Sequence, residues 1–285
     1  MSRISLIIFV QLLFCFSFAK EPVLADSIGN YYGSVGSTGQ SLKKELHDIL
    51  NSAHISEPGR ADRLVNGCDS LDMNCYKHTS LGYKTARKHL FGDIHLEENE
   101  DGEYTIQTAY CRDFVTDNDF PGSGNGNIGP MKIPNSNIIN AEHSWPQSRF
   151  TSKFSKGLQK ADLHHLFPTH SKVNSIRGNF PFGEVENVKN APCDGGVLGS
   201  DNDSSRKQFE PDDETKGNIA RALFYFSTRY DTKIDDTQEA YLRLWNILDP
   251  VDDFERLRNE KIYSLQYIRN PFIDKPELID EIKDF

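Results

Sequence analysis

The sequence predicts a single domain of the α+β class, with helices packed around a small strand-containing centre. Its composition is globular, with 37% hydrophobic and 26% charged residues in a chain of 285, which argues against global disorder. Apolar residues recur at helical spacing in several separate segments, and no internal repeat or low-complexity tract is visible. We expect the folded domain to span residues 31–277, followed by a short tail at 278–285.

The N-terminus is interpreted as a targeting segment rather than as part of the fold. Arg3 precedes a mostly apolar run from Ile4 to Phe18, and Ser17-Phe18-Ala19 has the small-x-small form of a cleavage site. Residues 1–19 are therefore a predicted signal peptide, with cleavage as late as Ala25 as the alternative. We expect a periplasmic or secreted protein that has no membrane attachment once this segment is removed.

The first half of the chain contains two predicted helices and a strand. Ser37 or Thr38 is expected to cap the first helix. Its apolar stripe consists of Leu42, Leu46, Ile49 and Leu50. Tyr83–Phe91 is the second helix, which ends at Gly92, and Tyr104–Tyr110 alternates as a strand does. A long loop rich in Gly, Asn and Pro follows at Asp117–Pro134.

The last third of the chain is predicted to be helical after an irregular polar loop at Gly195–Asp213. The first of three helices has the apolar stripe Ile219, Ala222, Leu223 and Phe226. Thr237–Leu248 and Phe254–Ile268 have similar stripes, and Arg269-Asn270-Pro271-Phe272 ends the last helix.

Four cysteines remain once Cys15, inside the predicted signal peptide, is set aside: Cys68, Cys75, Cys111 and Cys193. An even number in an exported protein predicts two disulfides, with three alternative connectivities. We favour Cys68–Cys75, which closes a short polar loop, together with Cys111–Cys193, which joins distant segments. A four-cysteine zinc site is the weaker alternative, because no Cys-x-x-Cys pair occurs.

The densest chemistry lies between Ile139 and Gly183, and it begins with Glu142-His143. Neighbours in a regular strand point to opposite faces, so this pair can serve one site only where a strand ends or bends. Pro146 places such an end just after the pair. Glu142 offers a hard oxygen ligand suited to Mg²⁺, and a neutral His143 can take a proton from water.

The second part of this block, from Asp162 to Gly178, is predicted to be a strand followed by a short helix. Asp162, His164 and Leu166 would share one strand face, where Asp162 could orient an imidazole by accepting its second N–H. Thr169 would cap a helix that runs to Gly178. The polar side of that helix carries His170, Asn174 and Arg177, so it faces a charged or wet site.

The formal net charge of −10 is unfavourable for binding a polyanion, yet a local basic patch can still bind phosphates. Basic residues do surround the block: Arg149, Lys153, Lys156, Lys160, Lys172, Arg177 and Lys189. A solvated surface is the alternative interpretation of this patch.

Together the motifs resemble the bacterial endonuclease I family, whose members carry the ββα-metal (His-Me finger) nuclease core. The matching residues span Tyr31 to Asp274. They are Glu142-His143-x-x-Pro146, Asp162-Leu163-His164, Val173-Asn174-x-x-Arg177-Gly178-Asn179-Phe180, Ala86-Arg87…Leu90-Phe91-Gly92, Ala220-Arg221…Phe224-Tyr225 and Asn270-Pro271-Phe272.

The resemblance implies a fold and a set of roles. His143 would be the general base, assisted by Arg177, and Glu142 and Asn174 would bind one Mg²⁺, with Mn²⁺ or Ca²⁺ as alternatives. Orienting roles would fall to Asp162, His164 and Asn179. The expected protein is a monomeric endonuclease that cleaves DNA, and also RNA, with little sequence preference and leaves 5′-phosphates.

The chain departs from relatives of the periplasmic type in two places. Those relatives carry a cysteine-containing basic insertion with a phosphate-contacting arginine, whereas here the interval is only Ser144–Ala161. That role must pass to Arg149, Lys153 or Arg177, or be absent. His165 stands where many members have Asn, so we expect it to be a packed histidine.

Two other functions compete with the nuclease. A zinc hydrolase could use several of the clustered histidines, although no His-Glu-x-x-His helix occurs and adjacent strand histidines cannot both reach one ion. A secreted binding protein with a degenerate nuclease fold would capture nucleic acid without cutting it. The presence of Glu142, His143 and Asn174 argues against the second alternative.

Overall fold

A computed structural model describes residues 28–122, 127–202 and 205–285, so the predicted signal peptide and its cleavage positions lie outside the described residues. Residues 28–32 are helical. The helices that follow are α1 (Gly39–Asn51), α2 (Tyr83–His89), α3 (Lys156–Lys160), α4 (Ser171–Arg177), α5 (Lys216–Tyr230), α6 (Asp236–Leu248), α7 (Asp253–Gln266), α8 (Pro271–Asp274) and α9 (Leu278–Glu281). Among the described helices, none is both long enough and apolar enough to cross a membrane.

The described strands are short and pair into small antiparallel sheets. They are β1 (Ala53–Ile55), β2 (Arg63–Val65), β3 (Cys75–Tyr76), β4 (Leu96–Glu98), β5 (Tyr104–Gln107), β6 (Phe114–Val115), β7 (Ile139–His143), β8 (Leu166–His170), β9 (Asn187–Asn190), β10 (Val197–Ser200) and β11 (Gln208–Glu210). The sheet orders are β2-β1-β3, β4-β5-β6, β7-β8 and β11-β10-β9. Short sheets among helices confirm the α+β class.

Helix α5 is the centre of the larger hydrophobic core, because nearly every side chain along it is buried. Its apolar stripe was predicted from the sequence, but its polar side chains are enclosed as well. Arg221 forms a buried ion pair with Glu255 on α7. The ring of Phe226 stacks on Trp145, with ring centroids 4.8 Å apart, so this helix supports the segment that follows β7.

Most predicted helices are confirmed, although some boundaries move. The stripe beginning at Leu42 lies on α1, and the two later stripes lie on α6 and α7. Helix α2 ends at His89 and continues as a π-helical turn, Leu90–Ile94, through the predicted stop at Gly92. The predicted strand Tyr104–Tyr110 ends earlier, at Gln107.

Two predictions about local structure are wrong. The segment Gly195–Asp213 is not wholly irregular, because it contributes β10 and β11 to a sheet. Leu163–His165 forms a 3₁₀ turn rather than a strand, since the Asp162 side chain accepts a hydrogen bond from the backbone N–H of His164. The strand β8 begins only at Leu166 and includes Pro168.

Both favoured disulfides are confirmed. Cys68 is bonded to Cys75 across a seven-residue separation, and Cys111 is bonded to Cys193 across a separation of 82. The second bond ties the segment before β6 to the loop before β10.

The last eight residues pack against the domain, although the sequence suggested a short tail. Ile279 and Phe285 are buried, and the ring centroid of Phe285 lies 4.3 Å from that of Phe224 on α5. The C-terminal segment is therefore part of the core.

Candidate active site

The hairpin-like pair β7–β8 and the helix α4 that follows it form the frame of the site. The strands are antiparallel, with Ile139 opposite His170 and His143 opposite Leu166. Helix α4 starts directly after β8 and ends at Gly178, whose φ of +57° suits glycine. The predicted cap at Thr169 is wrong, since His170 occupies the N-cap position. This arrangement sets one face of α4 against β7.

Glu142 lies on the face of β7 that meets α4, and it is 3% exposed. Its Oε1 accepts hydrogen bonds from the hydroxyl of Tyr110 at 2.7 Å and from Nη1 of Arg177 at 2.6 Å. Burial raises the pKa of the Glu142 carboxyl, and Arg177 opposes that rise. Because both side-chain bonds end on Oε1, Oε2 is the oxygen that could bind a cation.

Arg177 is buried and fixes the end of β7. Besides Glu142, its guanidinium donates to the backbone carbonyl of His143 at 3.1 Å and to that of Ser144 at 2.7 Å. Its guanidinium carbon also lies 4.3 Å from the ring centroid of Phe182. With these partners, Arg177 is placed to hold the carboxylate and the backbone of the site rather than to reach a substrate.

Asn174 lies one helical turn before Arg177 and is oriented by an amide partner on β7. Its Nδ2 donates to Oδ1 of Asn140 at 2.7 Å. Asn140 and Glu142 are two residues apart on a strand, so their side chains share one face. The same face of α4 therefore brings Asn174 and Arg177 to this row, and the Asn174 Oδ1 remains for a cation.

His143, the last residue of β7, points to the other face. Its Nε2 lies 3.1 Å from the carbonyl oxygen of Lys160, and a carbonyl can only accept, so Nε2 carries the proton. In a neutral ring Nδ1 is then the proton acceptor, with the side-chain amide of Gln147 3.4 Å away. Burial lowers the pKa of His143 to about 3, with further lowering by His165, so the imidazole is neutral.

Asp162 and His164 are both buried, and among the described residues no hydrogen bond joins the Asp162 carboxylate to the His164 ring. Asp162 accepts hydrogen bonds from the hydroxyls of Tyr225 and Tyr230, at 2.9 and 2.8 Å. Burial alone would raise the pKa of Asp162, but Arg229 and nearby histidines hold it below its usual range. His164 contacts the carbonyl of Ile268 through Nε2 at 3.1 Å. These contacts join the turn before β8 to α5 and to the segment before α8.

His165 packs inside the domain, as its sequence context suggested. It is fully buried, and its Nε2 lies 2.6 Å from the carbonyl oxygen of Gln159. Its ring centroid is 5.3 Å from that of His143, so it forms part of the wall behind the candidate base.

The remaining predicted residues lie at the edge of the site. The side chain of Arg149 donates to the carbonyl of Asn179 at 2.9 Å, and the Asn179 side chain is exposed. Lys153 pairs with Asp231 at the end of α5. Arg149 also lines a cavity of about 360 Å³ together with Trp145. Of the proposed phosphate contacts, only Arg149 lies beside the β7 end without an ion pair to a carboxylate among the described residues.

Sequence reasoning missed two residues that shape the Glu142 face. Asn140 could have been found, because strand alternation places it on the same face as Glu142. Tyr110 could not, because it lies 32 positions away and no local pattern connects it to the block.

The donor set fits a hard divalent cation better than zinc. A carboxylate oxygen and an amide oxygen are ligands that Mg²⁺ accepts while it keeps several waters. Zinc sites need three or four nitrogen or sulfur ligands, or carboxylates in their place. Within the described ranges, no group of three or more His, Cys, Asp or Glu side chains is placed to hold a metal, and the four cysteines there form disulfides.

The comparisons with known proteins agree with this geometry. The model of the endonuclease I family matches residues 38–277. The chain belongs to the endonuclease I family.

Three relatives show how far the similarity extends. An extracellular ribonuclease of Bacillus amyloliquefaciens is 40% identical over 278 residues, covering 90% of this chain and 79% of the relative. An extracellular ribonuclease of Bacillus subtilis (strain 168) is 33% identical over 284 residues, covering 93% and 81%. An extracellular deoxyribonuclease of Aeromonas hydrophila is 34% identical over 119 residues, covering 41% and 50%. Similarity to the two ribonucleases thus extends over most of the chain.

Proposed function

We propose that this protein is an exported endonuclease that hydrolyses phosphodiester bonds in DNA and RNA without sequence preference. The proposal depends on one observation: at the end of β7, the oxygen ligands and the candidate base lie on different faces of the strand. Glu142 and Asn174 present oxygen atoms on one face, while the neutral imidazole of His143 is anchored through Nε2 on the other. A base and a cation site on adjacent residues suit hydrolysis of a phosphodiester.

In this mechanism Nδ1 of His143 takes a proton from water as the water oxygen attacks phosphorus in line. The carbonyl of Lys160 holds the ring and fixes its tautomer. Arg177 keeps Glu142 oriented and also holds the two carbonyls that follow it. We also propose that the fold contains the ββα-metal (His-Me finger) nuclease core.

Glu142 and Asn174 would hold one divalent cation, most simply Mg²⁺. Once bound, the cation would neutralise charge on the phosphate and on the leaving 3′ oxygen, which corresponds to 5′-phosphate products.

The relatives support both the substrate range and the export. Those matched over most of the chain are named ribonucleases and the partial match a deoxyribonuclease, so we propose activity on both nucleic acids. All three are named extracellular, and another relative from Aeromonas hydrophila is a periplasmic deoxyribonuclease. Little readout of bases is expected, since the proposed contacts are to the backbone.

The test is plasmid nicking and RNA digestion by the purified protein in Mg²⁺ or in EDTA, repeated with His143→Ala. Loss of a general base is expected to lower kcat by about 10² to 10⁴-fold. His47→Ala is the matched control, because this half-buried imidazole on α1 contacts the carbonyl of Thr228 rather than the site. Cleavage that survives His143→Ala would overturn the base assignment.

The same assay separates the nuclease from a binding protein with a degenerate nuclease fold. Such a protein would retard DNA in a gel but would not nick it under any divalent cation tested. Zn²⁺-restored cleavage that Mg²⁺ cannot support would instead favour the zinc hydrolase.

A further inference from the structure

Two cations flank the His143 side of the site, and neither side chain has a role in the proposed mechanism. Both lie over the ring of Tyr83, whose centroid is 5.5 Å from that of His143. The ammonium of Lys160 is 4.4 Å from the Tyr83 centroid, and the guanidinium carbon of Arg87 is 4.9 Å from it. The aromatic ring thus attracts two positive charges beside the base.

These cations lack the acidic partners that several buried or half-buried cations among the described residues have. No ion pair joins Arg87 or Lys160 to a carboxylate in the described ranges, and the buried Nε of Arg87 has no hydrogen-bond partner there. By contrast, Lys216 pairs with three carboxylates, and Arg269 pairs with two. In a chain with 42 acidic and 32 basic residues, two half-buried cations left unpaired together indicate an anionic ligand.

We propose that Arg87 and Lys160 bind a phosphate of the substrate backbone next to the scissile one. The inference rests on the proposed function and deepens it. Each cation contacts the ring of Tyr83, whose centroid is 5.5 Å from that of His143, so we infer that both are offset from the point of attack. A neighbouring phosphate on the same strand fits this offset, and the scissile phosphate itself remains with His143 and the Glu142–Asn174 face.

This assignment adds a phosphate contact to the one that Arg149 could make from the short Ser144–Ala161 interval. Lys160 lies within that interval, but Arg87 comes from α2, more than fifty positions before the base. It is part of the Ala86-Arg87 motif, to which the proposed mechanism gives no role. Tyr83 acts as a positioning residue that keeps both cations over its ring.

The experiment compares Arg87→Gln and Lys160→Gln with the wild type on linear DNA at several salt concentrations. Each substitution is expected to raise KM about tenfold with kcat little changed, since one charged contact to bound substrate is lost while the backbone carbonyl of residue 160 that holds His143 is retained. The slope of log KM against log salt should fall by about one for each variant. Lys84→Gln is the control, because it removes an exposed lysine from the same helix, and it should leave KM and slope at wild-type values.

A second arm uses tetranucleotides as competitive inhibitors. In one, all three linkages are phosphodiesters; in the other, the two outer linkages are uncharged methylphosphonates. Arg87→Gln should weaken inhibition by the charged tetranucleotide and leave inhibition by the neutral-flank one unchanged. Equal weakening for both would overturn the assignment to a flanking phosphate.

The remaining outcomes are also decisive. Unchanged KM and salt slope in both variants, or a fall in kcat at constant KM, would overturn the inference while the nuclease itself stands. Arg87→Lys distinguishes charge from structure, because it should recover most of the salt slope, whereas a merely structural arginine would not be rescued. Absence of Mg²⁺-dependent cleavage by the wild type would instead remove the proposed function.

Discussion

Glu142 and His143 are neighbours in sequence, yet the two faces of β7 give them opposite surroundings. The carboxylate lies among hydrogen-bond donors, with a guanidinium 2.6 Å away. The imidazole lies among rings, with Tyr83, Phe150 and His165 centred between 5.3 and 6.0 Å from it. One face therefore favours a charged group, and the other favours a neutral one.

The difference shows how one dipeptide can supply both parts of a hydrolytic site. A cation ligand must be ionised, and a buried carboxylate stays so only beside a compensating charge. A general base must be unprotonated, which burial among rings achieves without any counter-charge. Strand alternation separates the two requirements by a single residue, and the strand end at His143 brings both to one edge.

The largest expected effect comes from replacing Arg177, the positive charge that compensates Glu142. Arg177→Met should lower the free energy of unfolding by about 3–5 kcal/mol, because Glu142 is left buried without its partner. Denaturant titration measures this directly. Arg149→Met is the control, since Arg149 is exposed and should cost less than about 1 kcal/mol.

A double variant sharpens this test. If the loss arises from the stranded carboxylate, Arg177→Met combined with Glu142→Gln should be less destabilised than Arg177→Met alone. A loss of under about 1 kcal/mol for the single variant would mean that Arg177 is not what maintains the charged face.

Sequence patterns predicted the helices and the end of β7 better than they predicted the partners of Glu142. The stripe on α5 was visible because helical spacing is local, and Pro146 marked the end of β7. The roles of Arg177 could not be derived in the same way, because a polar helix face does not say whether it meets solvent or a buried acid. The strand predicted at Asp162 was wrong for a similar reason. The Asp162 carboxylate accepts a hydrogen bond from the backbone N–H of His164, which folds this segment into a turn.

The buried histidines near His143 predict that the folded protein loses stability in acid. Burial lowers the pKa of His165 to about 4 and that of His164 to about 3, from an ordinary value of about 6.5. Below pH 6.5 the unfolded chain therefore binds protons that the folded protein does not. The free energy of unfolding should fall as pH drops from about 6.5 to about 4, by up to roughly 3 kcal/mol for His165.

His165→Asn tests this with unfolding curves at several pH values. The variant should lose less stability than the wild type over that window, because one of the buried imidazoles is gone. His170 provides a control, because its effect on the pH dependence of stability has the opposite sign. Asp113 raises its pKa, so its stabilisation is present below the unfolded pKa and is lost as pH rises through the folded one. Identical pH slopes for wild type and His165→Asn would contradict the prediction.

The smallest expected effect comes from disturbing only the orientation of Asn174, a proposed cation ligand. Asn140→Ala removes the acceptor that fixes the Asn174 amide, 2.7 Å away, without touching Glu142 or His143. One neutral hydrogen bond contributes about 1 kcal/mol, so the Mg²⁺ concentration for half-maximal cleavage should rise about fivefold. The maximal rate at saturating Mg²⁺ should stay near that of the wild type, because the base on the other face is unchanged. Asn174→Ala should raise the Mg²⁺ requirement further, since the ligand itself is lost. A fall in maximal rate with an unchanged Mg²⁺ requirement would mean that the two faces are not independent, and that Asn140 acts on the His143 side instead.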